Sequence, residues 1–136
     1  MNFKNGNILE RNHEETYGLE LILDLKNCNK NQFSRREIDH FFSKLCELIK
    51  MEKCVVHFWD DVGVPPEEQQ TDPHTKGTSA VCFILTSTIT IHTLDLLGKV
   101  YVNIFSCKEF DPKAAEEFTR EWFEGEVSKS TFIERV

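Results

Sequence analysis

Apolar and polar residues alternate near the start of the chain in a pattern that predicts one strand followed by one helix. Four leucines at alternate positions in residues 19–25 predict a half-buried strand, and residues 27–31 then predict a turn. Ser34 followed three residues later by Glu37 is a capping box, so a helix is expected over residues 35–50. The apolar positions that recur at helical spacing are Ile38, Phe41, Phe42, Leu45, Leu48 and Ile49.

The middle of the chain predicts strands separated by a long loop. Residues 54–59 form a short strand pattern, and residues 60–76, with three prolines and a glycine, predict a loop of the length that is often functional or mobile. Residues 79–86 and 88–94 are both apolar and β-branched. They indicate either two strands or one strand with a sharp break at Ser87.

The last part of the chain predicts a strand, a helix and a final edge strand. A turn at residues 95–98 leads into a strand over 99–106, and residues 127–133 form the last strand pattern. Asp111 and Pro112 are a helix N-cap and first helical position, and Gly125 ends that helix. Its expected buried stripe is Ala115, Phe118 and Trp122. This order predicts an α+β fold, a two-layer α/β sandwich in which two helices cover one face of an antiparallel sheet.

Length and composition predict one folded domain over residues 1–136. Hydrophobic residues make up 40% of the chain, which includes eleven Phe, so a packed core is expected. The formal net charge of -7 disfavours a nucleic-acid partner, because such partners are bound by an excess of basic residues. No apolar run is long enough for a membrane span, and residues 1–16 are expected to be a loose polar arm without a signal peptide.

The cysteines and histidines indicate a reducing compartment and no metal site. Five cysteines are an odd number without a CxxC pair, which favours free thiols and a cytoplasmic location. The five histidines are scattered and lack the short spacings of zinc ligands.

Four residues on the predicted strands carry groups that can be chemically reactive: Ser79, Ser87, His92 and Cys107. Singly, each is a weak signal, because a strand serine, a hydrogen-bonded histidine or a buried cysteine is usually structural. There is no nucleophile elbow around Ser87, which disfavours a serine hydrolase. Nothing marks Cys107 as the helix-terminal nucleophile of a cysteine protease.

Together, these four residues resemble the S-adenosylmethionine decarboxylase proenzymes of bacteria and archaea. The resemblance covers residues 17–125, and its specific part is residues 77–111, which include ITIHT and NIFSCKEFD. Ser87 follows Ser79 by eight residues, His92 follows Ser87 by five, and Cys107 follows His92 by fifteen, without a gap.

The resemblance implies a protein that cuts its own backbone. Ser87 would attack the carbonyl of Thr86, with assistance from His92 and Ser79. The products would be a β chain of residues 1–86 and an α chain of residues 87–136, which begins with a pyruvoyl group derived from Ser87. That group would form a Schiff base with the substrate amine, and Cys107 would donate the proton after CO2 leaves. The implied substrate is S-adenosylmethionine, the product serves spermidine synthesis, and the family is commonly homodimeric.

Two departures from the family bear on cutting and on substrate recognition. Family members usually carry Glu-Ser-His at the cut, where this chain has Thr86, Ser87 and Thr88. The glutamate that binds the ribose in the family is replaced by Leu96, and Asp95, one residue earlier, is a candidate substrate-binding residue.

A third departure concerns the aromatic residue that stacks on adenine in the family. The loop before Gly77 has Pro73 and His74 instead, which leaves Trp59, Phe58 and Phe3 as candidates for stacking. Phe58 and Trp59 are equally well explained as core residues.

These departures keep two alternative functions open. A relative that decarboxylates ornithine or arginine would keep Ser87, His92 and Cys107 without the nucleoside pocket, and the acidic loop at Glu67, Glu68 and Asp72 would then meet a basic substrate. An uncut, non-catalytic paralogue that binds a partner or ligand is the alternative of another class.

Overall fold

A computed structural model describes residues 15–136 as a six-stranded antiparallel sheet with two α-helices. The predicted polar arm, and with it the stacking candidate Phe3, lies almost entirely outside the described residues. In chain order the elements are β1 (Gly18–Lys26), α1 (Arg35–Leu48), β2 (Lys53–Trp59), β3 (Gly77–Ile84), β4 (Ser87–Leu94), β5 (Lys99–Ser106), α2 (Pro112–Phe123) and β6 (Glu126–Arg135). Within these residues no helix has the length and apolar character that crossing a bilayer requires.

The strand order is β2-β3-β4-β5-β1-β6, and every neighbouring pair is antiparallel. Side chains alternate between the faces, so one face of each central strand is buried under the helices while the other, called here the outer face, is not covered by a helix. The predicted α+β sandwich is therefore confirmed, with the final strand at the sheet edge as expected.

The buried core lies between the inner face of the sheet and the two helices. The alternate leucines of β1 are buried as predicted, and α1 is capped by Ser34, whose Oγ accepts from the backbone N–H of Glu37. In α1 the prediction was wrong at Leu48, which is exposed, while Cys46 is buried. In α2 the fully buried residues are Ala115, Thr119 and Phe123, with Phe118 and Trp122 packed at their margin.

Strands β3 and β4 form a tight hairpin. Ile84 pairs with Ser87, so Leu85 and Thr86 alone make the turn. The interpretation of one strand broken at Ser87 is therefore wrong, because the chain reverses direction before Ser87, which is the first residue of β4. The sequence hides this turn because Leu and Thr carry none of the usual turn preferences.

The long loop between β2 and β3 is held in place by charged contacts. Arg35 makes two hydrogen bonds to the Asp60 carboxylate, at 2.6 and 2.7 Å. Asp61 accepts from the backbone N–H of Gln70 at 3.0 Å and lies 3.4 Å from the Lys76 ammonium. These contacts bring both ends of the loop to the same end of the sheet.

Candidate active site

The hairpin end of β4 brings Ser87 and Cys107 together. Ser87 is buried, and its Oγ accepts a hydrogen bond from the backbone N–H of Cys107 at 2.8 Å. The Cys107 thiol lies 3.6 Å from the carbonyl oxygen of Leu85. A contact between residues 20 positions apart arises because β5 pairs with β4 and its end reaches the hairpin turn.

The surroundings of Cys107 favour its thiolate form. Hydrogen bonding with the Thr86 hydroxyl, and next with Ser87, lowers the pKa of the Cys107 thiol below its ordinary value. The Thr86 hydroxyl has a single proton, and two acceptors compete for it: the Cys107 sulfur and the Leu85 carbonyl oxygen, which lies 2.7 Å from the hydroxyl oxygen. Cys107 is partly exposed, so the thiol is accessible to a small molecule.

Aromatic residues line a cavity beside Ser87. A cavity of about 300 Å³ is lined by Phe83, Phe105 and Thr88 together with Thr86 and Ser87. The cavity is mainly apolar, so charged groups there would be poorly solvated, and it adjoins Ser87 from the outer face, whereas the Ser87 side chain is buried on the inner face.

Phe105 is itself fixed from two directions. The Tyr17 ring stacks on it with centroids 6.3 Å apart, and the Arg135 guanidinium lies 5.3 Å from its ring centroid. Arg135 is held by Glu20, whose carboxylate also accepts from the Asn103 amide at 2.7 Å. The aromatic wall beside Ser87 is therefore anchored to the first and last strands.

Ser79 and His92 form a second pair on the outer face. They are cross-strand neighbours in β3 and β4, and Ser79 Oγ lies 2.7 Å from His92 Nδ1. Two cavities, of 290 and 390 Å³, adjoin this pair and share Trp59 as a lining residue. Trp59 is 57% exposed and therefore not a core residue, whereas Phe58 packs against the core. Tyr101 lines the larger cavity.

The two pairs lie at different ends of β4. Ser87 and His92 are five residues apart on one strand, a separation of about 16 Å at roughly 3.3 Å per residue. Ser87 is buried and His92 is exposed, because residues separated by an odd number point to opposite faces. Within one chain, therefore, the Ser87 hydroxyl and the Cys107 thiol do not share a pocket with the His92 imidazole.

Asp95 lies in neither pair. It lines a separate cavity of 490 Å³ together with the charged residues Arg35, Asp60 and Lys76. Partial burial raises the pKa of the Asp95 carboxyl, and the nearby Lys76 opposes that shift. Leu96, at the position of the family's ribose-binding glutamate, is exposed.

The sequence reasoning missed the aromatic residues that line the cavities. Phe83, Tyr101 and Phe105 all project from the outer face of β3 or β5. Counting alternate positions back from Cys107 would have identified Phe105 and Tyr101, because residues two apart in a strand share a face.

Comparison with known proteins agrees with the predicted family and fold. The chain matches the family model described as S-adenosylmethionine decarboxylase over residues 19–136. No curated protein sequence matches it. Among solved structures it resembles the crystal structure of the adenosylmethionine decarboxylase from Aquifex aeolicus VF5, with a TM-score of 0.67 and 19% sequence identity over 88% of this chain and 91% of that chain. Since the family model covers nearly the whole described sequence, the chain belongs to the S-adenosylmethionine decarboxylase family.

Proposed function

We propose that this protein is a self-processing, pyruvoyl-dependent decarboxylase that acts on S-adenosylmethionine. The observation that carries the proposal is the contact between Ser87 and Cys107, in a chain that belongs to this family. A serine hydroxyl at the first residue of a strand, directly after a left-handed residue and beside a thiol of lowered pKa, has the groups that self-cleavage and proton donation need.

Self-cleavage begins with the attack of Ser87 Oγ on the carbonyl carbon of Thr86. The C–O bond forms, the C–N bond breaks, and the hydroxyl proton ends on the freed nitrogen of Ser87, which leaves an ester. Removal of the proton on Cα of Ser87 then breaks the bond between Cβ and Oγ, and Thr86 leaves as a carboxylate. Water hydrolyses the resulting enamine, in its imine form, to the pyruvoyl carbonyl, and the nitrogen leaves as ammonia. The Cys107 backbone N–H, 2.8 Å from Oγ, holds the attacking oxygen in place for the first step.

For decarboxylation, the pyruvoyl group derived from Ser87 would supply a carbonyl electrophile for the substrate's amine and an acceptor for the electrons left by the departing carboxylate. Phe83 and Phe105 would limit the water around the substrate's carboxylate, and an apolar environment favours its departure as uncharged CO2. The Cys107 thiol lies at the same end of the sheet and would deliver a proton to that carbon. The product of this reaction is the aminopropyl donor for spermidine.

Two measurements test the proposal. Intact mass of the purified protein should give two fragments that divide after Thr86, with the second fragment lacking a free amino terminus. The cut protein should then release CO2 from S-adenosylmethionine. A single full-length species after long incubation would refute the enzyme and leave the non-catalytic paralogue. CO2 release from ornithine or arginine alone would support the second enzymatic candidate, which the presence of Leu96 in place of the family's ribose-binding glutamate permits.

We further propose that the active site is completed by a second copy of the chain. Ser79 and His92 cannot reach Ser87 within one chain, although the family assigns all of them to one reaction. The outer face carries exposed apolar side chains, among them Val55, Trp59 and Phe83. Two protomers could stack their outer faces about a two-fold axis that lies between the sheets and perpendicular to the strands. The strands of the two protomers would then run in opposite directions. The β3–β4 turn of one protomer would lie over the part of the partner's β4 that carries its His92.

Mixed dimers test this arrangement. Chains with Ser87→Ala and chains with His92→Ala should each remain uncut alone. When differently tagged copies are co-expressed, a mixed dimer holds one complete site, so about half of the His92→Ala chains should be cut if pairing is random. Intact mass distinguishes the two chains.

The outcome that contradicts a shared site is equally clear. If the co-expressed His92→Ala chain stays whole although mixed dimers are isolated by their two tags, the site is not shared between protomers. If His92→Ala chains cut themselves alone, His92 has no role in processing.

Trp59 is proposed as the residue that stacks on adenine. Its exposed ring lines both cavities beside His92, and Asp95 remains the candidate polar contact although it lies in a different cavity. Trp59→Leu should raise KM about tenfold, since stacking on one base contributes roughly 1–3 kcal/mol, and leave kcat nearly unchanged. Phe58→Leu, which alters the adjacent inward-facing ring, is the matched control and should lower stability without a selective KM effect.

A further inference from the structure

The turn that carries the Thr86–Ser87 bond breaks the usual rule for such turns. Two-residue hairpin turns favour glycine, asparagine or aspartate, because at least one central residue takes a left-handed backbone. Here the left-handed residue is Thr86, with φ of 50°. A β-branched residue rarely adopts this conformation, because its side chain crowds the backbone.

The surroundings hold Thr86 in this conformation from both sides. The hairpin is paired without interruption from Gly77 with Leu94 up to Ile84 with Ser87, so the turn cannot relax by slipping. On the C-terminal side of the turn, Ser87 Oγ accepts a hydrogen bond from the backbone N–H of Cys107, directly after β5. Strain persists only where the rest of the fold over-determines it, as it does here.

Packing does not explain the choice of residues in the turn. Leu85 is 76% exposed and Thr86 is exposed, so neither side chain stabilises the core. Glycine or asparagine at position 86 would suit the left-handed backbone better, and neither would remove a buried contact. Local rules that are broken without a gain in packing mark functional positions.

We propose that Thr86 is a positioning residue for self-cleavage, which acts through the strain of its left-handed backbone. The inference rests on the proposed function and concerns the rate of the first step. Strain raises the free energy of the intact turn and is released as the C–N bond between Thr86 and Ser87 breaks and the C–O bond to Ser87 Oγ forms, with the hydroxyl proton carried to the departing nitrogen. The strain therefore lowers the barrier to cutting.

A series at residue 86 separates backbone strain from the hydroxyl. Thr86→Val keeps the β-branch and loses the hydroxyl, Thr86→Ser does the reverse, and Thr86→Gly loses both. If strain drives cutting, the Thr86→Val chain should cut at nearly the rate of the unaltered chain, the Thr86→Ser chain more slowly, and the Thr86→Gly chain most slowly. The expected reduction for glycine is about tenfold, because a side chain in the left-handed conformation costs about 1–2 kcal/mol that glycine avoids. The measurement is the fraction of cut chain against time after cell-free synthesis, by intact mass.

Glu124→Gly is the matched control. Glu124 also has a left-handed backbone, with φ of 51°, but lies at the C-terminus of α2, away from the hairpin. Relief of strain there should change thermal stability without changing the cutting rate. In the uncut Ser87→Ala background, Thr86→Gly should raise the melting temperature relative to Thr86→Val, which measures the strain directly.

Two results would overturn this inference. Equal cutting rates for the Gly and Thr chains would show that strain contributes nothing to the barrier. Fast cutting by Ser with slow cutting by Val would assign the effect to the hydroxyl, which contacts Cys107. Failure of the unaltered chain to cut at all would instead refute the proposed function, and this inference would fall with it.

Discussion

Ser87→Ala is expected to leave the chain as one polypeptide and to abolish decarboxylation. Without Oγ no ester forms, so no pyruvoyl group is made and the substrate amine has no carbonyl to bind. We expect CO2 release to fall by at least about 10⁶-fold, the lower end of enzymatic rate enhancements. Denaturing electrophoresis and intact mass measure the cutting, and release of labelled CO2 measures the activity.

The matched variant for this test is Ser87→Cys. A thiol at the same position keeps an attacking atom, so the chain should still cut, through a thioester in place of the ester. Loss of the Ser87 hydroxyl leaves the Cys107 N–H without its acceptor, at a cost of about 1–3 kcal/mol, so circular dichroism must confirm that Ser87→Ala folds. Persistent cutting in a folded Ser87→Ala chain would show that another residue is the nucleophile.

Cys107→Ala is expected to cut itself but to decarboxylate about 10²–10⁴-fold more slowly, the usual contribution of a general acid. Cutting should survive because alanine keeps the backbone N–H of residue 107, which donates to Ser87 Oγ at 2.8 Å, and removes only the contact between the thiol and that hydroxyl. The test compares the cut fraction with kcat on the same preparation. Loss of cutting in Cys107→Ala would assign the thiol to the first step as well.

The pH dependence of kcat offers an independent check on Cys107. A general acid must be protonated, so kcat should fall as pH rises through the pKa of the thiol. Two side-chain hydrogen bonds lower this pKa in the uncut chain, and the larger, with the Thr86 hydroxyl, uses a group that cutting retains, whereas the Ser87 hydroxyl is lost. The fall should therefore begin below the ordinary thiol value of 9.0. Cys54→Ala, which removes an exposed thiol on β2, is the control and should leave the profile unchanged. An alkaline limb that persists in Cys107→Ala would exclude the thiol as its source.

Local patterns predicted most of the secondary structure, because each depends on near neighbours. The capping box at Ser34 and the alternate leucines of β1 are such signals; α1 begins at the predicted residue and β1 begins one residue earlier. The turn between β3 and β4 was not located, and one strand broken at Ser87 stayed an alternative, because Leu85 and Thr86 carry no turn signal. At that point, long-range pairing of the strands overrides local preference, and the exception coincides with the proposed cutting site.

The sequence by itself determined which reactive groups the protein has and on which face of a strand each one lies, since alternation depends only on the number of intervening residues. Because five residues separate Ser87 from His92, alternation alone places the two side chains on opposite faces of β4. Only the tertiary structure decided their neighbours: Cys107 meets Ser87, Ser79 meets His92, and Asp95 turns into another cavity. Neighbours across a sheet depend on the register of hydrogen bonds between distant segments, which no periodicity within one segment specifies.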